Sequence, residues 1–154
     1  MKISKIVLRV NIHEWDDKDL IIKKIEELLK DIEKKKIKYK IYVDKGLISD
    51  KLYVHEISLE KKDIIEKILH NLINMGLNIE EMLRNVNFDE NYNIYIRIDK
   101  IDLLIKNKVT VKYGNDVFHM KISIDGFKKD RDKVLEFLKE YLSQIANKYN
   151  KDLR

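Results

Sequence analysis

Ile94, Ile96 and Ile98 alternate with Tyr95, Arg97 and Asp99, and this period of two recurs along the chain. Successive side chains of a strand point to opposite faces, so each such stretch offers one apolar and one polar face. Ile6, Leu8 and Val10 alternate with Lys5, Val7 and Arg9 in a strand over Ile3–Asn11. Ile37, Tyr39, Ile41 and Val43 alternate with Lys36, Lys38, Lys40 and Tyr42 over Lys35–Val43. Phe118, Met120, Ile122 and Ile124 alternate with His119, Lys121 and Ser123 over Val117–Ile124. The chain is therefore written for a sheet with helices on one side and a more polar opposite side.

The helices that cover the apolar side carry a different period. Ile21, Ile25, Leu28, Leu29 and Ile32 fall on one helical face, which predicts a helix over Asp17–Lys34 with Asp16 and Asp17 placed to cap it. Ile64, Ile65, Ile68, Leu69 and Leu72 predict a second helix over Leu59–Asn74, with Ser58 as N-cap and Gly76 near its end. A short helical turn is expected at Ile79–Asn85, and a last helix at Lys128–Lys148. Asp44–Asp50 reads as a turn and Lys51–Ile57 as a strand. Tyr92–Ile98 is a strand, followed by a connector containing Leu103 and Leu104. Lys108–Tyr113 and Val117–Ile124 read as a hairpin turning at Gly114–Asn115. The order is strand, helix, two strands, helix, three strands, helix. Strands grouped between helices give an α+β fold with a mostly antiparallel sheet, rather than a doubly wound parallel one. Residues 1–154 carry no Pro/Gly/Ser linker and no clear repeat, so a single domain is expected.

Composition narrows the setting. Hydrophobic residues at 44% and charged residues at 38% suit a folded domain rather than a disordered chain. No cysteine is present, which excludes disulfides and thiolate metal sites. No apolar run reaches the ~18 residues of a membrane helix, and "MKISKIVLRV" lacks a signal-peptide core, so a cytoplasmic protein is expected. The net charge of +5 permits an anionic partner without demanding one.

Catalytic and cofactor signatures are missing. Neither phosphate-loop glycine pattern occurs, and the chain has four glycines in all. His13, His55, His70 and His119 show no paired metal-ligand spacing. "DDKD" (Asp16–Asp19) lacks the glycine and distant glutamate of a calcium loop, and reads as helix capping. Ser58 and Lys61 match S-x-x-K by spacing alone, which a capping serine explains better. His13 and Glu14 are neighbours whose side chains point apart on an extended segment. No nucleophile meets an oriented base, so a non-enzyme without metal or cofactor is expected.

The polar side of the sheet is the remaining signal. Lys36, Lys38 and Lys40 form one basic row, and Lys108 and Lys112 a second, with Lys121 and His119 across the hairpin. Arg97 and Lys100 join them from the strand at Tyr92–Ile98 and its end, and Tyr42 and Tyr95 add rings. Cations neutralise phosphates and flat rings stack unpaired bases, so these residues form a candidate RNA-binding set. Asp99 is expected to pair with Arg97 or Lys100. The competing reading starts from the same residues. Lysine also guards solvated strand edges, and Tyr and Arg suit protein interfaces. On that reading the face or an edge is an assembly module, in a homodimer or with another protein.

Two short motifs sit within this pattern: Arg97-Ile98-Asp99-Lys100, and the cluster Lys129, Asp130, Arg131, Asp132 and Lys133 opening the last helix. A third, "HEWDDKD" (His13–Asp19), opens the first helix. In these motifs and in element order the chain resembles the archaeal RNA-binding family described as a predicted exosome subunit. The resemblance implies an α+β fold like that of the large-subunit ribosomal protein that binds 5S rRNA. It also implies RNA binding, in association with an RNA-processing complex. The chain departs from the family after its second strand. "DKGLISDKLY" stands where relatives carry a Gly-His-x-Gly-Asn-Pro type segment; only Gly46 matches, and the chain has no proline.

Overall fold

The computed structural model describes residues 1–45, 51–112, 114, 116–126 and 130–152. The elements run β1 (Lys2–Ile12), α1 (Lys18–Leu28), a 3-10 turn (Lys34–Lys36), β2 (Lys38–Lys45), β3 (Lys51–Leu59), α2 (Lys62–Asn74) and α3 (Ile79–Arg84). They continue with β4 (Asn87–Phe88), β5 (Ile94–Asp99), α4 (Lys100–Ile105), β6 (Val117–Asp125) and α5 (Arg131–Asp152). The strands form one sheet in the order β2-β3-β1-β6-β5-β4, and every neighbouring pair is antiparallel. This is the α+β fold expected. Among the described residues, no helix is long and apolar enough to cross a membrane.

The period of two sets the layers. Ile6, Leu8, Ile57, Leu59, Phe118, Ile122, Ile94 and Ile98 are all buried and belong to one continuous core. The stripes of α1, α2 and α5, with Leu103 of α4, close that core from the helix side. Arg9, Tyr95, Arg97, His119 and Lys121 take the opposite phase of the same strands and are left half-buried or exposed.

Several boundaries differ from the sequence reading, each for a local reason. α1 stops at Leu28 rather than Lys34. Asn71 of α2 donates to the carbonyls of Leu28 and Lys30, at 2.8 and 3.1 Å, and Asp31 takes a left-handed φ of 65°. Asp17 caps the helix through Leu20 N–H, while Asp16 is used elsewhere. Ser58 is no cap, because β3 pairs with β1 through Leu59 and α2 begins only at Lys62. The connector with Leu103 and Leu104 is helix α4. β4 was unanticipated. It turns into β5 through Asp89, whose carboxylate accepts from the Asn91 and Asn93 amides at 2.9 and 2.8 Å.

The hairpin over Lys108–Ile124 is overturned. Val109 N–H reaches back to the Met75 carbonyl at 2.9 Å, which anchors the segment to the end of α2. It then runs along the outer edge of β5, with Asp99 N–H to Thr110 O at 2.7 Å and Lys112 N–H to Arg97 O at 2.9 Å. β6 instead enters the sheet between β1 and β5. The turn expected at Asp44–Asp50 and the segment with Gly46 lie outside the described residues, except that β2 extends through Asp44 to Lys45. Asn115, Lys128 and Lys129 also lie outside them. Asp130 accepts from the Lys133 amide at 2.8 Å and caps α5.

Candidate functional site

Strand register decides which polar side chains become neighbours. Lys40 pairs with Glu56, Glu56 with Arg9, Arg9 with His119, and His119 with Arg97, so one row crosses β2, β3, β1, β6 and β5. The next row runs Lys38, Ser58, Val7, Lys121, Tyr95 and Asn87. Tyr42 lies opposite Val54, which lies opposite Asn11. Arg9, Asn11, Tyr42, Tyr95, His119 and Lys121 help to line an open trough of about 490 Å³.

The charges of the open face fall into two groups. Arg9 is held side-on by Glu56, with Nε and Nη2 at 3.1 and 2.6 Å from Oε2. That bond raises the Arg9 pKa, burial opposing it. Lys38 and Lys5 share Glu60, at 3.3 and 3.8 Å. In contrast, Lys40, Arg97 and Lys121 form no ion pair among the described residues. The Lys121 ammonium lies 5.5 Å from the centre of the Tyr95 ring. His119 sits between Arg9 and Arg97; burial and then those two cations depress its pKa below the ordinary 6.5. Its imidazole is therefore neutral near pH 7.

The residues singled out from sequence divide accordingly. Lys38, Lys40, Tyr42, Tyr95, Arg97 and Lys121 share the open face. Lys112 stands at its rim, 3.7 Å from Asp99, so Asp99 pairs there and not with Arg97 or Lys100. Lys36 is in the 3-10 turn and not in a strand row; it reaches Asp63 of α2 at 3.5 Å. Lys108 leaves the face altogether: it precedes the Val109–Met75 anchor, and its stem lies beside Gly76 on the helix side.

Lys100 is withdrawn from the face by burial. It is 2% exposed, and its ammonium donates to Asn11 O, Asp16 Oδ2 and Asp116 Oδ1 at 2.8, 3.0 and 2.8 Å. Those bonds use all three protons, so no phosphate can reach it. Asp16 also accepts from His13 N–H at 2.7 Å. Lys100 thereby fastens the β1–α1 turn to the start of α4. His13, Asp16 and Asp116 gather ligand atoms within 4.8 Å of one another, but the Lys100 ammonium already supplies the positive charge between the two carboxylates.

Arg9 and His119 carry the middle of the row. Both occupy the outward phase of their strands, a signal visible in sequence. Their adjacency to Arg97 is not visible there, because it depends on β1 and β6 being central neighbours.

A family model described as RNA binding matches residues 5–124, from β1 to the end of β6. An RNA-binding protein of Pyrococcus abyssi is 25% identical over 149 residues, spanning 92% of this chain and 95% of that one. A crystal structure of a protein from Archaeglobus fulgidus superposes with a TM-score of 0.71 at 23% identity, over 90% of this chain and 99% of that one. Another, from Sulfolobus solfataricus, gives 0.69 at 21% identity, over 91% and 98%. The two structural likenesses concern the fold.

Proposed function

The chain belongs to the RNA-binding family, and on that premise we propose that its open sheet face binds single-stranded RNA without altering it chemically. The observation that carries the reading is the row through Lys40, Arg9, His119 and Arg97, with the Lys121–Tyr95 pair beside it. Among the described residues, Lys40, Arg97 and Lys121 form no ion pair with a carboxylate, which leaves each available to neutralise a phosphate. Lys38 adds a further cation, Lys112 one at the rim, and Lys36 one beyond the edge of the sheet. Tyr42 and Tyr95 present rings on which unpaired bases can stack. Arg9, fixed by Glu56, still has unused N–H donors for a phosphate or base edge. Lys100 and Lys108 take no part.

A binding role fits the chemistry of the trough. His119 is flanked by cations, and no activated nucleophile lies beside it among the described residues. A place beside an RNA-processing complex in the cytoplasm, of the exosome type, is the finer reading, and the sequence resemblance supports it. Crosslinking in cells, with bound RNA and protein identified together, tests that part.

Titration of a fluorescent single-stranded RNA across a salt series tests the binding itself. Four phosphate contacts give a log-log slope of about −3, at ~0.7 per phosphate on single strands. No binding at low salt would sink the proposal.

A further inference from the structure

The two edges of the sheet are finished differently. β4 is two residues long, Phe88 lies under the Arg131 guanidinium at 5.0 Å, and residues 110–112 run along the rest of β5. β2 is eight residues long and, among the described residues, has a neighbour on one side only. On the helix side of β2, Tyr39, Ile41 and Val43 are 41%, 59% and 56% exposed, although Leu8, Val10 and Ile57 in the same layer are buried. Beside Tyr39, Ile22, Leu29, Ile32 and Ile37 line an apolar groove of about 350 Å³ between α1 and β2. Unpaired backbone and exposed apolar side chains on one edge form a template for another strand.

We propose that β2 pairs antiparallel with β2 of a second copy of this chain, about a twofold axis at Ile41. The sequence of the strand is complementary to itself in that register. Lys38 faces the partner's Asp44, and Asp44 faces the partner's Lys38, so the charges match on both sides of the axis. Tyr39 faces the partner's Val43, which brings that side chain to the mouth of the apolar groove. Lys40 faces the partner's Tyr42, and Ile41 faces itself. An axis at Lys40 would oppose two ammonium groups, and one at Tyr42 would draw Val43 away from the groove. The pairing is isologous, as closed dimers require. It also joins two six-stranded sheets edge to edge, so both open faces lie on one continuous surface. The inference does not rest on RNA binding.

Light scattering on the full chain, without RNA, should give twice the chain mass. Ile41→Lys should raise the dimer dissociation constant by roughly 30-fold or more, with the fold retained by circular dichroism. The chain has no cysteine, so single-cysteine variants report position cleanly. Ile41→Cys should form a covalent dimer on mild oxidation. Ile101→Cys, on α4 and 60% exposed, should not. A wild-type monomer at roughly 100 μM would overturn the proposal and leave the edge to a strand of some other protein. So would a dimer that Ile41→Lys does not weaken, or one that Ile101→Cys traps as readily.

Discussion

The two faces of the sheet are built from the same strands, one residue apart, under opposite physical demands. Ile96 and Ile98 are buried, while Arg97 between them is half-buried and unpaired among the described residues. On the helix side of the central strands, from β1 through β6 to β5, volume and burial decide the residues, and apolar packing explains them. On the open side, folding asks only for strand-compatible residues that tolerate water. Placing Arg97, Lys40 and Lys121 there without carboxylate partners among the described residues adds self-repulsion. Lys100 shows how this chain treats a structural charge: it buries the ammonium and satisfies every proton. Lys40, Arg97 and Lys121 are not handled that way: they stay on the open face with no ion pair among the described residues.

Substitutions at adjacent positions should separate the faces most sharply. Ile96→Asp buries a carboxylate without a partner and should cost more than about 4 kcal/mol, enough to unfold much of the population. Arg97→Glu, one residue on, should change stability by no more than about 0.5 kcal/mol. Urea unfolding followed by circular dichroism measures both, and equal losses would erase the distinction.

Lys100→Ala should come next, at about 3–5 kcal/mol, because it strands Asp16 and the Asn11 carbonyl. Lys121→Ala should leave the unfolding midpoint nearly unchanged and weaken RNA binding. The same unfolding assay, paired with RNA titration, should find the two lysines failing in different experiments.

Combining Arg97→Glu with Lys121→Glu should lower RNA affinity by about 100-fold at low salt and flatten the salt slope by about 1–2. Unchanged affinity would place the RNA elsewhere on the molecule.

The smallest effect should be in pH, with opposite signs for folding and binding. His119, His55 and His70 all have pKa values depressed below 6.5, burial being the first cause in each. Below that value the unfolded chain binds more protons, so stability is full above pH 6.5 and declines as pH falls. A phosphate beside His119 favours its protonated form, so RNA affinity should rise over the same fall in pH. His119→Asn should blunt both trends, read by thermal melts and RNA titration from pH 7.5 to pH 5.5.

Much of the fold was legible because the two periods were clean. The alternations at Ile6–Val10, Ile94–Ile98 and Phe118–Ile124 separate the two faces; the stripe at Ile64–Leu72 is buried, and that of the first helix is buried at Ile21, Ile25 and Leu28 and half-buried at Leu29 and Ile32. What escaped was non-local. The end of α1 depends on Asn71 of another helix, and the missing hairpin depends on the Val109–Met75 anchor. The open face followed the same rule. Outward phase placed Lys38, Lys40, Tyr42, Tyr95, Arg97 and Lys121 on it, but not which strands lie side by side. Lys100 was misread because burial cannot be seen in "IRIDK": Asp16 and Asp116 converge on it from distant parts of the chain.

Amide-resolved NMR titration with a short single-stranded RNA tests the central claim most directly. Shifts concentrated at Arg9, Lys40, Tyr42, Tyr95, Arg97, His119 and Lys121 are the predicted result, with α2 and α5 unmoved. Shifts confined to the helix layer, with the open face silent at saturating RNA, would contradict it.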